Sequence, residues 1–159
     1  MAIDSDREVL KGEEPALGAH VISPRRGFLH HGIYVGDGRV VHYAGLARGL
    51  VRGPVEEVSL TRFASGRSLW VRFHPKTTFD PTEVVRRARS RVGEDRYRVL
   101  RNNCEHFCEW CLHGEPRSYQ VERLLLSPRV LLMTFGLSYR ILPVRTVATG
   151  QRSAANVNV

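Results

Sequence analysis

Asn102-Asn103-Cys104-Glu105-His106-Phe107 leads two polar residues into a cysteine and then into an apolar continuation. Asparagine is a favoured N-cap, because its side-chain oxygen accepts from the free N–H groups of the first helical turn. Phe107, Cys108 and Cys111 follow Cys104 at helical spacing, so one face of this segment is expected to pack inward. The helix is expected to end near Gly114, with Pro116 just beyond. At a helix N-terminus a thiol lies beside free N–H groups and positive partial charge, which favours the thiolate, the form that attacks carbonyls. Free cysteine is also among the most buried residue types, and on its own Cys104 reads better as a small core residue. Two segments upstream shift that balance.

His30-His31-Gly32-Ile33-Tyr34-Val35 runs into Gly36-Asp37-Gly38 and then Arg39-Val40-Val41-His42-Tyr43. Two β-rich runs around a Gly-Asp-Gly turn signal a hairpin. Loop length decides which side chains share a face. A two-residue Asp37-Gly38 turn places His42 opposite Ile33, on the face of His31. A three-residue loop with Gly38 as a bulge glycine places His42 opposite Gly32, beside His30. The second register is favoured, because it brings two imidazoles diagonally together across a glycine that leaves them room. His30, Gly32, Tyr34, Val40 and His42 then share one face. Two such imidazoles suit the roles of base and orienter for a thiol.

These three blocks, in this order, resemble the lecithin:retinol acyltransferase (LRAT) domain family from about Leu17 to about Glu122. The resemblance implies that Cys104 is the nucleophile, His30 rather than His31 the general base, and His42 the residue that orients the base. It also implies a circularly permuted papain-like fold of the NlpC type: an α+β domain whose small antiparallel sheet packs against the nucleophile-bearing helix. The implied substrate is an acyl ester, a phospholipid above all, handled by phospholipase or acyltransferase chemistry through an acyl-thioester on Cys104. Residue chemistry alone leaves two other readings open. One is a peptide or amide hydrolase using the same thiol–imidazole pair; the other is a non-catalytic binding module that keeps the fold.

Supporting roles are expected around these three. Asn103 reads as a cap, and Gly32 as the space between the histidines. Tyr34 shares the face of His30, with burial of its ring favoured over a hydroxyl in the site. His31 is expected to pack on the opposite face. His106, two residues past Cys104, points away from the thiol and reads as structural, donating to a hairpin carbonyl. A zinc site from Cys104, Cys108, Cys111 and His113 is disfavoured, because the cysteines line one helix face whereas zinc takes ligand pairs from different elements. No metal and no cofactor is therefore assigned.

The 159 residues carry a net charge of +8 with a pI of about 10.1, which favours acidic partners such as an anionic membrane surface. No recognisable nucleic-acid module accompanies that charge, so nucleic acid is not expected as a partner. Three cysteines clustered in one helical stretch make a poor disulfide framework and suit a reducing compartment. Residues 1–14 are polar and without an apolar core, so they read as a flexible arm rather than a secretory signal, and a cytoplasmic, peripherally membrane-associated protein is expected. The catalytic domain is expected over 15–122, an apolar and basic segment over 123–148 and a disordered tail over 149–159. Val130 to Leu137 is too short to span a bilayer, but its bracketing Arg129 and Arg140 suit a membrane interface as well as a core helix. Between the hairpin and the cysteine helix the pattern predicts a loop over 45–54, a strand from Pro54 to Leu60, a turn or short helix to Gly66 and a strand from Leu69 to Phe73. Asp80-Pro81-Thr82-Glu83 opens a basic helix ending at Gly93, and Arg96 to Leu100 reads as a short strand.

Overall fold

Asp37 and Gly38 form a two-residue turn with φ of 51° and 62°, the doubly left-handed geometry that matches strand twist in a hairpin. Gly36 pairs with Arg39 across it, yet Tyr34 pairs with Val40 and Ile33 with Val41. One extra residue is therefore accommodated as a bulge between Tyr34 and Gly36, where Gly36 takes φ of 91°. The consequence is the favoured register, with Gly32 facing His42, but the bulge rather than a three-residue loop produces it. A Cβ on Gly32 would lie 2.5 Å from Val40 Cγ1 and 2.9 Å from Phe63 Cε2, so no larger residue fits between the strands.

The computed structural model describes residues 6–45 and 53–126. Six antiparallel strands form one sheet: β1 (Arg7–Glu8), β2 (His20–Arg25), β3 (Phe28–Gly36), β4 (Arg39–Tyr43), β5 (Val55–Ser59) and β6 (Trp70–Val71), in the spatial order β1-β6-β2-β3-β4-β5. Four helices are described: α1 (Leu60–Ala64), α2 (Pro81–Ser90), α3 (Cys104–His113) and α4 (Tyr119–Leu125). The fold is α+β, as the sequence implies. The chain divides into a compact unit through Leu124, which holds the sheet, and a second unit from Leu125 onward, of which only Leu125 and Leu126 are described.

Strand alternation sorts the core into two clusters, one on each face of the sheet. Ile33, Val35, Val41 and Tyr43 pack against Val84, Val85 and Ala88 of α2 and Cys104, Phe107, Cys108 and Cys111 of α3. Val21, Tyr34, Val40 and Val58 pack against Phe63 of α1 on the other face. The caps follow the sequence signals. Asp80 accepts from the N–H groups of Thr82 and Glu83 ahead of Pro81, and Gly114 closes α3 with φ of 84°.

Several expected elements differ. Arg7–Glu8, within the expected flexible arm, extends the sheet edge by pairing with Val71 and Trp70. The strand expected over Leu69–Phe73 shrinks to Trp70–Val71, because its partners β1 and β2 overlap it for only two residues each. Arg96 to Leu100 is not a strand: Arg98 and Asn102 form an isolated bridge that folds the segment back on itself. The expected 45–54 loop lies mostly outside the described residues, as do Val130–Leu137 and the expected tail. Among the described residues no helix is long and apolar enough to cross a membrane.

Candidate active site

Asn103 caps α3, accepting from Glu105 N and His106 N through Oδ1 at 3.0 Å each. His106 completes a capping box: its Nδ1 accepts from Asn103 N, not the expected donation to a hairpin carbonyl. Cys104 is thereby the first helical residue, and the core cluster pins its helix against β3 and β4. Its side chain is buried. The thiol faces the main-chain N–H groups of His31, Glu105 and Cys104 itself, which favour the thiolate, but burial outweighs them and pushes the Cys104 pKa up to about 11. The expectation of a depressed thiol pKa is thus corrected: helix position is legible in sequence, desolvation is not. Cys111 is pushed to about 12 by burial, and Cys108 is raised well above its usual value for the same reason.

On the face of Phe63, His30 Nε2 lies 2.9 Å from His42 Nδ1, with ring centroids 4.9 Å apart and nearly perpendicular. The Phe63 ring lies 5.1 Å from His30 and 5.4 Å from His42, centroid to centroid, which fixes both imidazoles. Burial pushes the His30 pKa well below the imidazole range, with His42 and Arg25 adding to the shift. His30 therefore rests as a neutral ring with a lone pair available. The structure brings His30 and His42 together and sets Cys104 against the main chain of the residue immediately after His30.

Glu56 escapes the sequence reading. It sits opposite His42 on β5, and its Oε1 lies 3.4 Å from His42 Nε2. An acceptor there keeps a proton on His42 Nε2, which leaves Nδ1 to accept from His30 Nε2 and leaves His30 Nδ1 unprotonated. Tyr34 takes no part in this chain. Its hydroxyl donates to Glu14 and accepts from Gly38 N at 3.0 Å, so it braces the hairpin turn.

His31 is more than packing. Its ring is fully buried in a polar cluster, with Nδ1 2.8 Å from His20 Nε2 and Nε2 2.8 Å from the Gln120 amide nitrogen. Beside it Glu105 accepts from Arg72 Nη1 at 2.9 Å, Ser118 Oγ at 2.6 Å and Gln120 N at 3.0 Å. Burial alone would raise the Glu105 carboxyl; these donors and charges bring it below its usual value. A cavity of about 540 Å³ opens next to this pair, with Phe28, Leu29 and Leu124 as apolar wall and Arg25 and Arg123 as cations.

The resting protonation of the thiol has a direct readout. With a Cys104 pKa of about 11, alkylation by iodoacetamide is expected to rise about tenfold per pH unit from pH 7 to 10, following the thiolate fraction. A preformed thiolate–imidazolium pair would give a plateau over the same range, and observing one would refute the neutral resting state.

A buried cysteine opening a helix, beside the hairpin whose two strands carry a hydrogen-bonded histidine pair, defines a thiol–histidine protein of the α+β class. The chain belongs to the lecithin retinol acyltransferase family, whose profile matches residues 13–117 and so includes Cys104, His30, His42 and Glu56. It is 32% identical to lecithin retinol acyltransferase of Rattus norvegicus over 135 residues, which cover 68% of this chain and 58% of that protein. Against human phospholipase A and acyltransferase 2 it is 32% identical over 123 residues, 67% of this chain and 76% of the relative. Human phospholipase A and acyltransferase 4 matches at 28% identity over 162 aligned positions, 86% of this chain and 96% of the relative. The chain thus spans less than two thirds of the rat protein's length.

Proposed function

We propose that the chain is a thiol-dependent lipid acyltransferase or phospholipase of the A type, working through an acyl-thioester on Cys104. The observation that carries this reading is the His30–His42 pair at 2.9 Å, one residue along β3 from the amide that faces the thiol. The names of the relatives support an acyl-transfer or phospholipase reaction, and the sheet with its cysteine-bearing helix suits the permuted papain-like arrangement.

In this mechanism His30 Nδ1 takes the Cys104 proton as the sulfur attacks the ester carbonyl carbon. The oxyanion is held by main-chain N–H groups of Cys104 and His31. Its collapse breaks the bond to the leaving oxygen, which receives the proton from His30 and departs as an alcohol. Water or an acceptor amine or alcohol then gives up a proton to His30 and attacks the thioester, returning the thiol. His42 and Glu56 act through His30 as positioning residues: they hold its tautomer and stabilise the imidazolium while it exists. Because both partners start neutral, no charged pair has to be buried before substrate arrives.

The cavity beside Glu105 supports a lipid. Its apolar wall suits an acyl chain, and Arg25 and Arg123 suit a phosphate. The charge of +8 favours reversible contact with an anionic membrane. The test is intact-mass analysis after incubation with phosphatidylcholine vesicles. An adduct of one fatty acyl group on Cys104, absent in Cys104→Ala, is the expected result. No adduct and no fatty acid release from any vesicle by the folded protein would overturn the reading, and turnover of a peptide substrate instead would favour the amide-hydrolase alternative.

A further inference from the structure

On the α3 side of the sheet, beyond His31, three elements converge on a small polar chamber that the proposed reaction does not use. His20 comes from β2, His74 from the segment after β6, and Glu109 from the second turn of α3. His20 Nδ1 lies 2.9 Å from His74 Nε2 and 3.8 Å from Glu109 Oε1, and the three ligand atoms all fall within 4.8 Å of one another. The Glu109 side chain is only 5% exposed, and its Oε1 is fully buried with no hydrogen-bond partner. A carboxyl oxygen buried in this way and turned toward imidazole nitrogens is left without a hydrogen bond.

We propose that His20, His74 and Glu109 bind one divalent transition-metal ion of the zinc class. Two imidazoles and a carboxylate drawn from three separate elements are a donor set that zinc accepts, with a fourth position for water. Tetrahedral bonds of about 2.0–2.1 Å place ligand atoms about 3.3 Å apart, and the observed 2.9 and 3.8 Å bracket that spacing. The third pair, His74 to Glu109, lies within 4.8 Å, so the set closes when those two side chains move together by up to about 1.5 Å.

The surroundings supply the outer contacts that such ligands need. Ligation uses the lone pairs on His20 Nδ1 and His74 Nε2. The His20 proton then sits on Nε2, against His31 Nδ1 at 2.8 Å, and the His74 proton on Nδ1, toward His113 Nε2 at 3.4 Å. His31 in turn passes its proton to Nε2 and donates to Gln120, whose amide must turn its oxygen inward and give up the bond that Oε1 accepts from Leu29 N at 3.0 Å. No proton is gained or lost along this chain. His113 Nε2, 3.7 Å from Glu109 Oε2 and 28% exposed, marks the solvent side through which the ion enters. The bound ion would tie α3 to β2 and the segment after β6, a structural role separate from the thiol chemistry.

Cobalt reports both binding and donor type. The untagged protein, stripped with EDTA and passed into metal-free buffer, is titrated with CoCl2 and followed by absorption. A visible d–d band saturating at one equivalent is expected, without the near-ultraviolet thiolate charge-transfer band that ligation by Cys104, Cys108 or Cys111 would add. ZnCl2 should abolish the band by displacement and raise the melting temperature. His74→Ala, at a partly exposed position, and Glu109→Gln should each weaken cobalt binding about 100-fold or more. Glu109→Gln removes the buried charge, so in EDTA it should melt no lower than the parent, which separates lost ligation from lost folding. Absence of the d–d band at stoichiometric cobalt, a thiolate band, or undiminished binding in both variants would each overturn the proposal.

Discussion

His30→Gln is expected to lower acyl transfer about 10²–10⁴-fold, the usual worth of a positioned general base. Glutamine can still bond to His42 across the 2.9 Å gap but cannot take the Cys104 proton. His42→Ala should lose much of the same factor, because the base keeps its place but loses its tautomer control. Glu56→Gln should lose less, and its mark should be a change in the pH dependence of turnover rather than in KM. His31→Gln is the control. It removes a ring from the buried cluster but keeps the main-chain N–H, so turnover per folded molecule should stay within about tenfold of the parent, below the loss assigned to a base. Single-turnover acylation measured on the four variants decides the order. Comparable losses in His30→Gln and His31→Gln, with both proteins folded, would remove His30 from the role of base.

Arg72→Met is expected to reduce unfolding free energy by about 3–5 kcal/mol, among the largest single-residue effects in this fold. Glu105 is fully buried, and Arg72 Nη1 is its cationic partner at 2.9 Å. Removing the guanidinium strands a carboxylate that only Ser118 and Gln120 still serve. The double variant Arg72→Met, Glu105→Gln should recover part of the loss, because the amide oxygen keeps those donors without carrying charge. Urea unfolding of the three proteins measures this coupling. A single variant within about 1 kcal/mol of the parent, the range of an exposed ion pair, would show that the pair is not effectively buried. The experiment also bears on the site: Glu105 follows Cys104, so the pair holds the first turn of α3 against the sheet.

Much of this site is legible in the chain because local rules govern it. Asn103, Asp80 and Gly114 announce helix ends through caps whose chemistry is complete within a few residues. The His30–His42 pairing follows from counting across a glycine-bounded turn, and the count succeeded although a bulge at Gly36 performs the shift assigned to the loop. Failures begin where the partner is distant in sequence. Glu56 lies in Val55-Glu56-Glu57, which reads as the wet side of an edge strand until the β4–β5 register sets it against His42. His20 sits between the apolar Ala19 and Val21-Ile22, and nothing nearby announces His74 or Glu109, 54 and 89 positions further along. Arg96 to Leu100 has the composition of a strand, but the Arg98–Asn102 bridge folds it back on itself instead of laying it along a sheet edge. The thiol pKa depends on how much core closes over Cys104, which only the assembled clusters fix.

The proposed nucleophile, kept as a neutral thiol, has a bearing on how the protein ages in use. Peroxide attacks thiolates, and the first oxidation product, a sulfenic acid, proceeds to irreversible acids when no neighbouring thiol traps it. Cys104 offers oxidants a small thiolate population and a 4% exposed side chain, while Cys108 sits one turn along the same helix. The same burial therefore shelters the residue that the proposed reaction cannot replace.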